Sequence, residues 1–199
     1  MTVTHFSQSC ENNKVFILKV LKPLLKNRRQ VTEIGSGTGQ HARYFAGQLA
    51  HITWQSTDRA LWLPDLSAVI SAFNSENLPA PLRLDVSEKA WPIGPCEVIF
   101  TANTLHIMSW NNVQHFFSGV ANALQAEGDL FIYGPFNYHG QYTSQSNKDF
   151  DRYLQRKDPL SAIRDFEAVL ALAEQAGLQL VKDYAMPANN RLLHFKKIC

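Results

Sequence analysis

Cysteines, long apolar runs and long basic runs are all scarce in this chain of 199 residues, and each scarcity excludes a class of protein. The three cysteines, Cys10, Cys96 and Cys199, are odd in number and form no C-x-x-C pair, so the sequence indicates neither a disulfide framework nor a metal site. No apolar run approaches the length of a membrane span, and residues 1–14 lack the apolar core of a signal peptide. We therefore expect a cytoplasmic protein with no membrane partner.

Charge is also sparse and nearly balanced. Charged residues make up 18% of the chain, and the formal net charge is +2. This composition gives no electrostatic argument for nucleic acid as a partner. Hydrophobic residues make up 45%, which is ordinary for a globular protein, and the length suits one domain with a substantial core. We therefore treat 1–199 as a single domain.

The apolar periodicity predicts strands that alternate with helices along most of the chain. Predicted helices cover 11–26, 40–49, 64–73, 112–124 and 166–176, and predicted strands cover 30–34, 52–57, 82–85, 97–101, 129–133, 178–184 and 191–198. This order predicts an α/β fold, a doubly wound and mostly parallel seven-stranded sheet that ends in a C-terminal antiparallel hairpin. Helix 11–26 is expected to act as a cap, and 134–165 is expected to be an insertion.

A glycine-rich turn between the first strand and the following helix is the clearest functional signal. The glycines are Gly35, Gly37 and Gly39, and Glu33 precedes them at the strand end. Such a turn places backbone N–H groups at a helix N-terminus, where they can hold a negative group. The dinucleotide fingerprint G-x-G-x-x-G would need a glycine at the position of Gln40. A tight turn with no ligand is the alternative interpretation.

Two more acidic residues follow the second and third predicted strands. Asp58 stands close to the roughly 20-residue offset at which a carboxylate binds ribose hydroxyls. Asp85 ends the alternating segment 82–86. Ligands of open α/β sheets lie beyond the carboxyl ends of the strands, and both residues are expected there. An exposed loop position for Asp58 and a turn or capping role for Asp85 are the alternatives.

The acid-x-G-x-G-x-G pattern resembles motif I of the class I S-adenosyl-L-methionine-dependent methyltransferases. Together with the segments 11–14, 103–107, 134–136, 146–147, 150–151, 163–165 and 186–190, it is similar to an uncharacterised methyltransferase-like family of about 200-residue bacterial and animal proteins. The resemblance implies a Rossmann-like methyltransferase fold and S-adenosylmethionine as cofactor. The cofactor-binding residues that it implies are Glu33, Gly35, Ser36, Gly37, Thr38, Gly39, His41, Asp58, Asp85, Val86 and Asn103.

The same resemblance implies that the segment after the fourth strand lies beside the methyl donor. His106 in that segment is the first candidate for a general base, because a histidine has a pKa near neutrality, and His139 is the second. The segment 134–165 is expected to form the acceptor side of the site. The fourth strand does not end in an Asn/Asp-Pro-Pro-Tyr motif, which disfavours amino groups of adenine, cytosine or glutamine as acceptors. A small-molecule acceptor is therefore expected.

Two other functions remain open at this point. A protein that binds the cofactor or acts as a scaffold without turnover is possible, since no substrate motif is evident. A nicotinamide-dependent oxidoreductase would use the same glycine turn and Asp58, but Gln40 and the closing hairpin oppose it. The sequence does not indicate the oligomeric state.

Overall fold

The computed structural model describes residues 6–198. Residues 1–5, at the start of the N-terminal segment that lacks an apolar core, and Cys199, the third cysteine, lie outside the described residues. The helices are α1 (Gln8–Leu24), α2 (Gln40–Gln48), α3 (Leu63–Phe73), α4 (Trp110–Ala123), α5 (Gln145–Lys157) and α6 (Phe166–Gln175). The strands are β1 (Gln30–Ile34), β2 (Thr53–Asp58), β3 (Leu82–Arg83), β4 (Cys96–Ala102), β5 (Leu124–Asn137), β6 (Arg164–Asp165), β7 (Leu178–Met186) and β8 (Asn190–Lys197).

One sheet organises the molecule. Its strand order is β3-β2-β1-β4-β5-β8-β7, and the short strand β6 pairs with β5 off this path. The strands from β3 to β5 pair in parallel, whereas β8 is antiparallel to both β5 and β7. The predicted seven-stranded, mostly parallel sheet with a closing hairpin is confirmed, with β6 as an eighth strand. Successive strands are added on one side of β1 up to β3 and on its other side from β4 onward, so the strand order reverses between β1 and β4, which is where ligands of such sheets bind.

Helices cover both faces of the sheet, as a doubly wound fold requires. On one face, α1, α2 and α3 pack on the sheet around Phe45, Trp54 and Phe100. The rings of Phe45 and Trp54 lie 5.0 Å apart, and Phe100 meets both edge-on at 5.6 Å. On the other face, α4 and α6 bury Phe116 and Val169 against the same sheet. Two apolar layers therefore hold the strand ends in fixed relative positions.

Strand β5 is longer than predicted at both ends. The predicted strand begins at Asp129, but β5 already includes Gly128, and its pairing with β4 passes from Leu124 directly to Asp129. Beyond Tyr133 the strand continues through a Gly-Pro pair that resembles a break in the sequence. Pro135 lies beyond Tyr133, the last residue of β5 that pairs with β4, so its missing N–H interrupts no bond to that strand. The antiparallel register with β8 continues there, and the strand stays buried to its last residue.

The predicted insertion 134–165 contains a helix, α5. Ser144 caps α5 by accepting a hydrogen bond from the backbone N–H of Asn147 at 3.1 Å. The inward face of α5 carries Asn147, Asp151 and Leu154, and two of these three are polar. Apolar periodicity therefore gave no helix signal for this segment.

Helix α1 also differs from the prediction. It begins at Gln8, where Ser7 caps it by accepting from the backbone N–H of Cys10 at 3.3 Å, and it ends at Leu24. Pro23 lies inside its last turn, which shortens the predicted 11–26 helix at its C-terminus. Among residues 6–198, no helix is long and apolar enough to span a membrane.

Candidate functional site

The glycine turn after β1 is tied to the end of β2. The backbone N–H groups of Gly35 and Ser36 both donate to the carbonyl of Thr57, at 3.1 and 2.9 Å. The N–H of Gly39 donates to the carbonyl of Ser36 at 2.9 Å. These N–H groups are therefore already bonded within the protein. The turn does not offer them to a pyrophosphate, which argues against the dinucleotide interpretation.

Gly35 and Gly37 both have positive φ angles, but their surroundings differ. Gly35 has φ +74°, and a Cβ atom there would lie 2.6 Å from Cγ2 of Thr104, so the turn after β1 and the segment after β4 touch at this point. Gly37 has φ +53°, and a Cβ atom there would meet nothing within 4 Å. The backbone at Gly37 therefore borders open space, which a ligand can approach closely.

Asp58 ends β2 directly beside this turn. Its Oδ2 accepts a hydrogen bond from the N–H of Gly37 at 2.6 Å, and its Oδ1 accepts from the N–H of Arg59 at 2.7 Å. The residue is 6% exposed, and burial raises the pKa of its carboxyl while the two backbone hydrogen bonds lower it. A carboxylate has about four lone-pair positions, so Asp58 keeps capacity for further donors such as hydroxyls.

Glu33 is buried beneath the turn. It is 1% exposed, and its Oε2 accepts a hydrogen bond from Nε1 of Trp54 at 3.0 Å. Burial raises the pKa of Glu33 to about 7, and the nearby charge of Asp58 acts in the same direction. Near neutral pH the group therefore exists in both protonation states.

Asp85 and Val86 lie just beyond β3, next to Asp58. The N–H of Leu84 donates to the carbonyl of Asp58 at 2.8 Å, which fixes this segment beside β2. Oδ1 of Asp85 accepts from the N–H and the hydroxyl of Ser87 at 3.0 and 2.7 Å, and these hydrogen bonds lower its pKa. The turn-capping role of Asp85 is thus present, and Val86 is buried. The adenine contact stays a prediction.

The segment after β4 contributes Asn103 and His106. Asn103 has φ +58°, a strained conformation for a non-glycine residue, and its N–H donates to the carbonyl of Tyr133 at 2.9 Å. His106 is 6% exposed, and its ring meets that of Phe150 edge-on at 5.4 Å. Burial, and then the charge of Arg164, lower the pKa of His106 to about 4, so the imidazole is neutral at pH 7.

His139 lies apart from His106. It is in the exposed turn between Tyr138 and Gln141, its side chain is 86% exposed, and its Nδ1 lies 3.3 Å from a carboxylate oxygen of Glu167. The two candidate bases therefore differ in exposure, since His139 faces solvent and His106 is buried. Only His106 is buried next to β5, where a Cβ atom on Gly134 would lie 3.7 Å from its Nδ1.

The remaining predicted cofactor residues have partners within the protein. His41 is buried, its Nε2 lies 2.6 Å from Oδ1 of Asn13, and its ring stacks on Phe45. Burial lowers the pKa of His41 to about 4. The hydroxyl of Ser36 accepts from the N–H of Thr57 at 3.2 Å. His41 thus connects α2 to α1, and its role toward a ligand stays a prediction.

Sequence reasoning missed a polar contact between α1 and the sheet. Tyr133 on β5 is buried and forms side-chain hydrogen bonds with Asn13 and Asn190, while burial raises its pKa to about 12. Asn13 therefore contacts both His41 and Tyr133. No sequence motif marks this contact, because its members come from four separate elements. It joins α1 to α2 and to β5, and the role of α1 as a cap stays a prediction.

The chain matches one protein family by sequence and many solved structures by fold. The family model described as "Protein of unknown function (DUF938)" matches residues 4–197. Many solved structures share the fold. The apo form of the S-adenosylmethionine-dependent methyltransferase SibL superposes with a TM-score of 0.80 at 16% identity, over 96% of this chain and 56% of that chain.

Two further structures agree. The mitomycin 7-O-methyltransferase MmcR gives a TM-score of 0.76 at 15% identity over 87% of this chain and 50% of that one. An O-methyltransferase family protein from Burkholderia thailandensis gives 0.76 at 13% identity, over 93% and 58%. The chain thus spans little more than half the length of these structures. At these identities the likeness shows the fold, which is that of class I methyltransferases.

Proposed function

We propose that this chain, which belongs to the DUF938 family, binds S-adenosylmethionine at the carboxyl ends of β1, β2 and β4 and transfers its methyl group to a small molecule. The observation that carries the proposal is the pairing of Asp58 with Gly37. A buried carboxylate at the end of β2 is held against the backbone of a glycine that borders open space. The O-methyltransferase neighbours with the same fold support the proposal.

The residues present suit this cofactor. Asp58 has acceptor capacity left for ribose hydroxyls, and Asp85 with the N–H of Val86 is assigned to the adenine. The turn 35–39 and Asn103 are assigned to the methionine part, with Glu33, Ser36, Thr38 and His41 supporting the turn. When bound, the cofactor supplies an electrophilic methyl group on its sulfonium.

The chain itself would contribute positioning and exclusion of water. Buried side chains hold the segment after β4 against β5 and α5, which fixes where an acceptor can lie. His106 is neutral at pH 7 and can accept a hydrogen bond from an acceptor hydroxyl. His139 stays the second base candidate, although its exposed turn gives it no buried contact with that segment.

A cofactor-binding protein without turnover is the second candidate. The low pKa of His106, about 4, favours it, since such an imidazole is a weak base toward a hydroxyl. Detection of methyl transfer to any acceptor by the purified protein would exclude this alternative.

Calorimetry with S-adenosylmethionine, S-adenosylhomocysteine and NADH tests the cofactor assignment. We expect micromolar binding of both sulfur compounds and none of NADH. In Asp58→Asn, the amide oxygen still accepts from Gly37, but the charge is lost, so binding should weaken about 10-fold to 100-fold. Asp149→Asn, which removes an exposed carboxylate of α5, is the matched control. Absence of binding by the wild-type protein would refute the proposal.

A further inference from the structure

Arg164 is a half-buried cation on β6 that lies between two parts of the chain near the proposed site. On one side is the segment after β4, residues 103–109, and on the other is the loop before β6, residues 158–163. Within the described part of the chain, no ion pair within 4.0 Å includes this guanidinium. Its N–H donors are directed to three backbone carbonyls instead, so its contacts fix the course of the backbone.

Two of these carbonyls flank His106 in the chain. Nε of the guanidinium donates to the carbonyl of Leu105 at 3.2 Å, and Nη2 donates to the carbonyl of Met108. Both carbonyls belong to a short turn, in which the N–H groups of Ile107 and Met108 donate to the carbonyl of Thr104 at 3.0 and 3.1 Å. The turn that carries His106 is therefore bonded on both sides of the imidazole to one guanidinium.

The third carbonyl belongs to the loop before β6. Nη2 donates to the carbonyl of Leu160 at 2.9 Å, and the guanidinium carbon lies 5.8 Å from the centre of the Trp110 ring at the start of α4. A planar guanidinium has five N–H donors in fixed directions and stacks on aromatic rings, which an ammonium group does not do. Arg164 thus joins the segment after β4, the start of α4 and the loop before β6.

The residue before Arg164 is fastened to α5. The N–H of Ile163 donates to Oδ1 of the buried Asp151 at 2.6 Å, and Oδ2 of this carboxylate accepts from the hydroxyl of Tyr142 at 2.7 Å. Asp151 follows Phe150 in α5, and the ring of Phe150 meets that of His106 edge-on at 5.4 Å. The contact between these two rings is therefore held from α5 and from β6.

We propose that Arg164 is a positioning residue that holds His106, and the turn around it, between the proposed cofactor site and the acceptor side. The inference rests on the proposed function, since it takes His106 as the group that meets the acceptor. Burial is the main cause of the low pKa of His106, and the charge of Arg164 adds to it. A neutral imidazole keeps a lone pair that can accept a hydrogen bond from an acceptor hydroxyl. Arg164 therefore acts on the imidazole through both its hydrogen bonds and its charge.

Two variants separate these two effects. Arg164→Lys keeps the charge but lacks the planar fork of donors, and Arg164→Met lacks both while it keeps an apolar stem. Amide hydrogen exchange of Ile107 and Met108 reports on the turn. We expect exchange to accelerate at least about tenfold in both variants, because hydrogen bonds from a charged donor are lost. NMR titration of the His106 imidazole should show a higher pKa in Arg164→Met and a pKa that stays low in Arg164→Lys.

Controls separate a specific effect from general destabilisation. Arg156→Met removes a cation from the exposed surface of α5 and should change neither measurement. His106→Gln identifies the NMR signal of the titrating imidazole, and thermal unfolding shows whether each variant is folded. If Arg164→Met does not fold, Arg164→Gln supplies the uncharged variant, since its amide can still donate to one of the carbonyls.

Either of two results would overturn the role of Arg164. One is unchanged exchange of Ile107 and Met108 in both variants, which would mean that the turn needs no support from β6. The other is a pKa of His106 that does not rise in the uncharged variant. Binding of S-adenosylhomocysteine is measured on the same samples. If the wild-type protein does not bind it, the proposed function fails, whereas exchange and titration still report on Arg164.

Discussion

The side-chain amide of Gln40 forms two hydrogen bonds with the backbone of Ser7. Its Oε1 accepts from the N–H of Ser7 at 2.6 Å, and its Nε2 donates to the carbonyl of Ser7 at 3.3 Å. The same amide donates to Oε1 of Glu11 at 2.7 Å and accepts from the hydroxyl of Thr38 at 3.0 Å. One side chain thus fastens the start of α1 to the glycine turn. The glycine of a dinucleotide fingerprint could not do this.

Gln40→Ala should release the start of α1. The variant loses several hydrogen bonds at a partly buried position, so we expect the free energy of unfolding to fall by about 1–2 kcal/mol. Amide hydrogen exchange of residues 8–13 should accelerate, because this part of α1 can then open locally. The control is Gln48→Ala at the exposed end of α2. Unchanged exchange in residues 8–13 would contradict the fastening role.

Gly35→Ala should be destabilising for two reasons. The residue has φ +74°, and the new Cβ would lie 2.6 Å from Cγ2 of Thr104. Backbone strain and overpacking together should lower the free energy of unfolding by about 2–4 kcal/mol. Adding Thr104→Ser removes the clashing methyl but keeps the hydroxyl, so it should restore part of this loss. Gly94→Ala, where a Cβ meets nothing within 4 Å, is the control for urea unfolding. Absence of rescue would show that the clash is unimportant.

Most of the fold could be predicted from the sequence because its core is built from regular apolar patterns. The buried run Val98–Phe100 and the periodic face of α4 identify a central strand and its covering helix. The prediction failed where pairing partners overrode local signals. Pro135 stays in a strand, beyond the last pair with β4 and in register with β8, and α5 turns polar residues inward.

The candidate site was predictable only in part. Gly37 and Asp58 could be predicted because the spacing between the glycine turn and the acidic residue is recognisable in the sequence. In the structure the backbone N of Gly37 lies 2.6 Å from Oδ2 of Asp58. The contacts of Gln40 with Ser7, and of Asn13 with His41, join residues that are far apart in the chain. No spacing rule connects such pairs.

The buried carboxyl of Glu33 should make the protein less stable as the pH rises. Burial raises its pKa from 4.5 to about 7, so between these values the folded state keeps a proton that the unfolded state has lost. Its stabilising contribution is present below pH 4.5 and is lost as the pH rises through 7. Relative to Glu33→Gln, the wild type should lose about 3 kcal/mol across this range. Urea unfolding of both proteins from pH 4.5 to 8 measures the difference, and a constant difference would contradict the prediction.

The buried imidazole of His41 should make the protein less stable as the pH falls. Burial lowers its pKa from 6.5 to about 4, so between these values the unfolded state takes up a proton that the folded state does not. Its contribution is complete above pH 6.5 and is lost as the pH falls through 4, amounting to about 3 kcal/mol. His41→Gln can still donate to Oδ1 of Asn13 but cannot become charged. The gap in unfolding free energy between the two proteins should therefore narrow, and then reverse in favour of the variant, as the pH is lowered. His51→Gln, at a partly buried position in the turn after α2, serves as the comparison. A gap that does not change with pH would show that His41 is hydrated in solution and that α1 does not seal it.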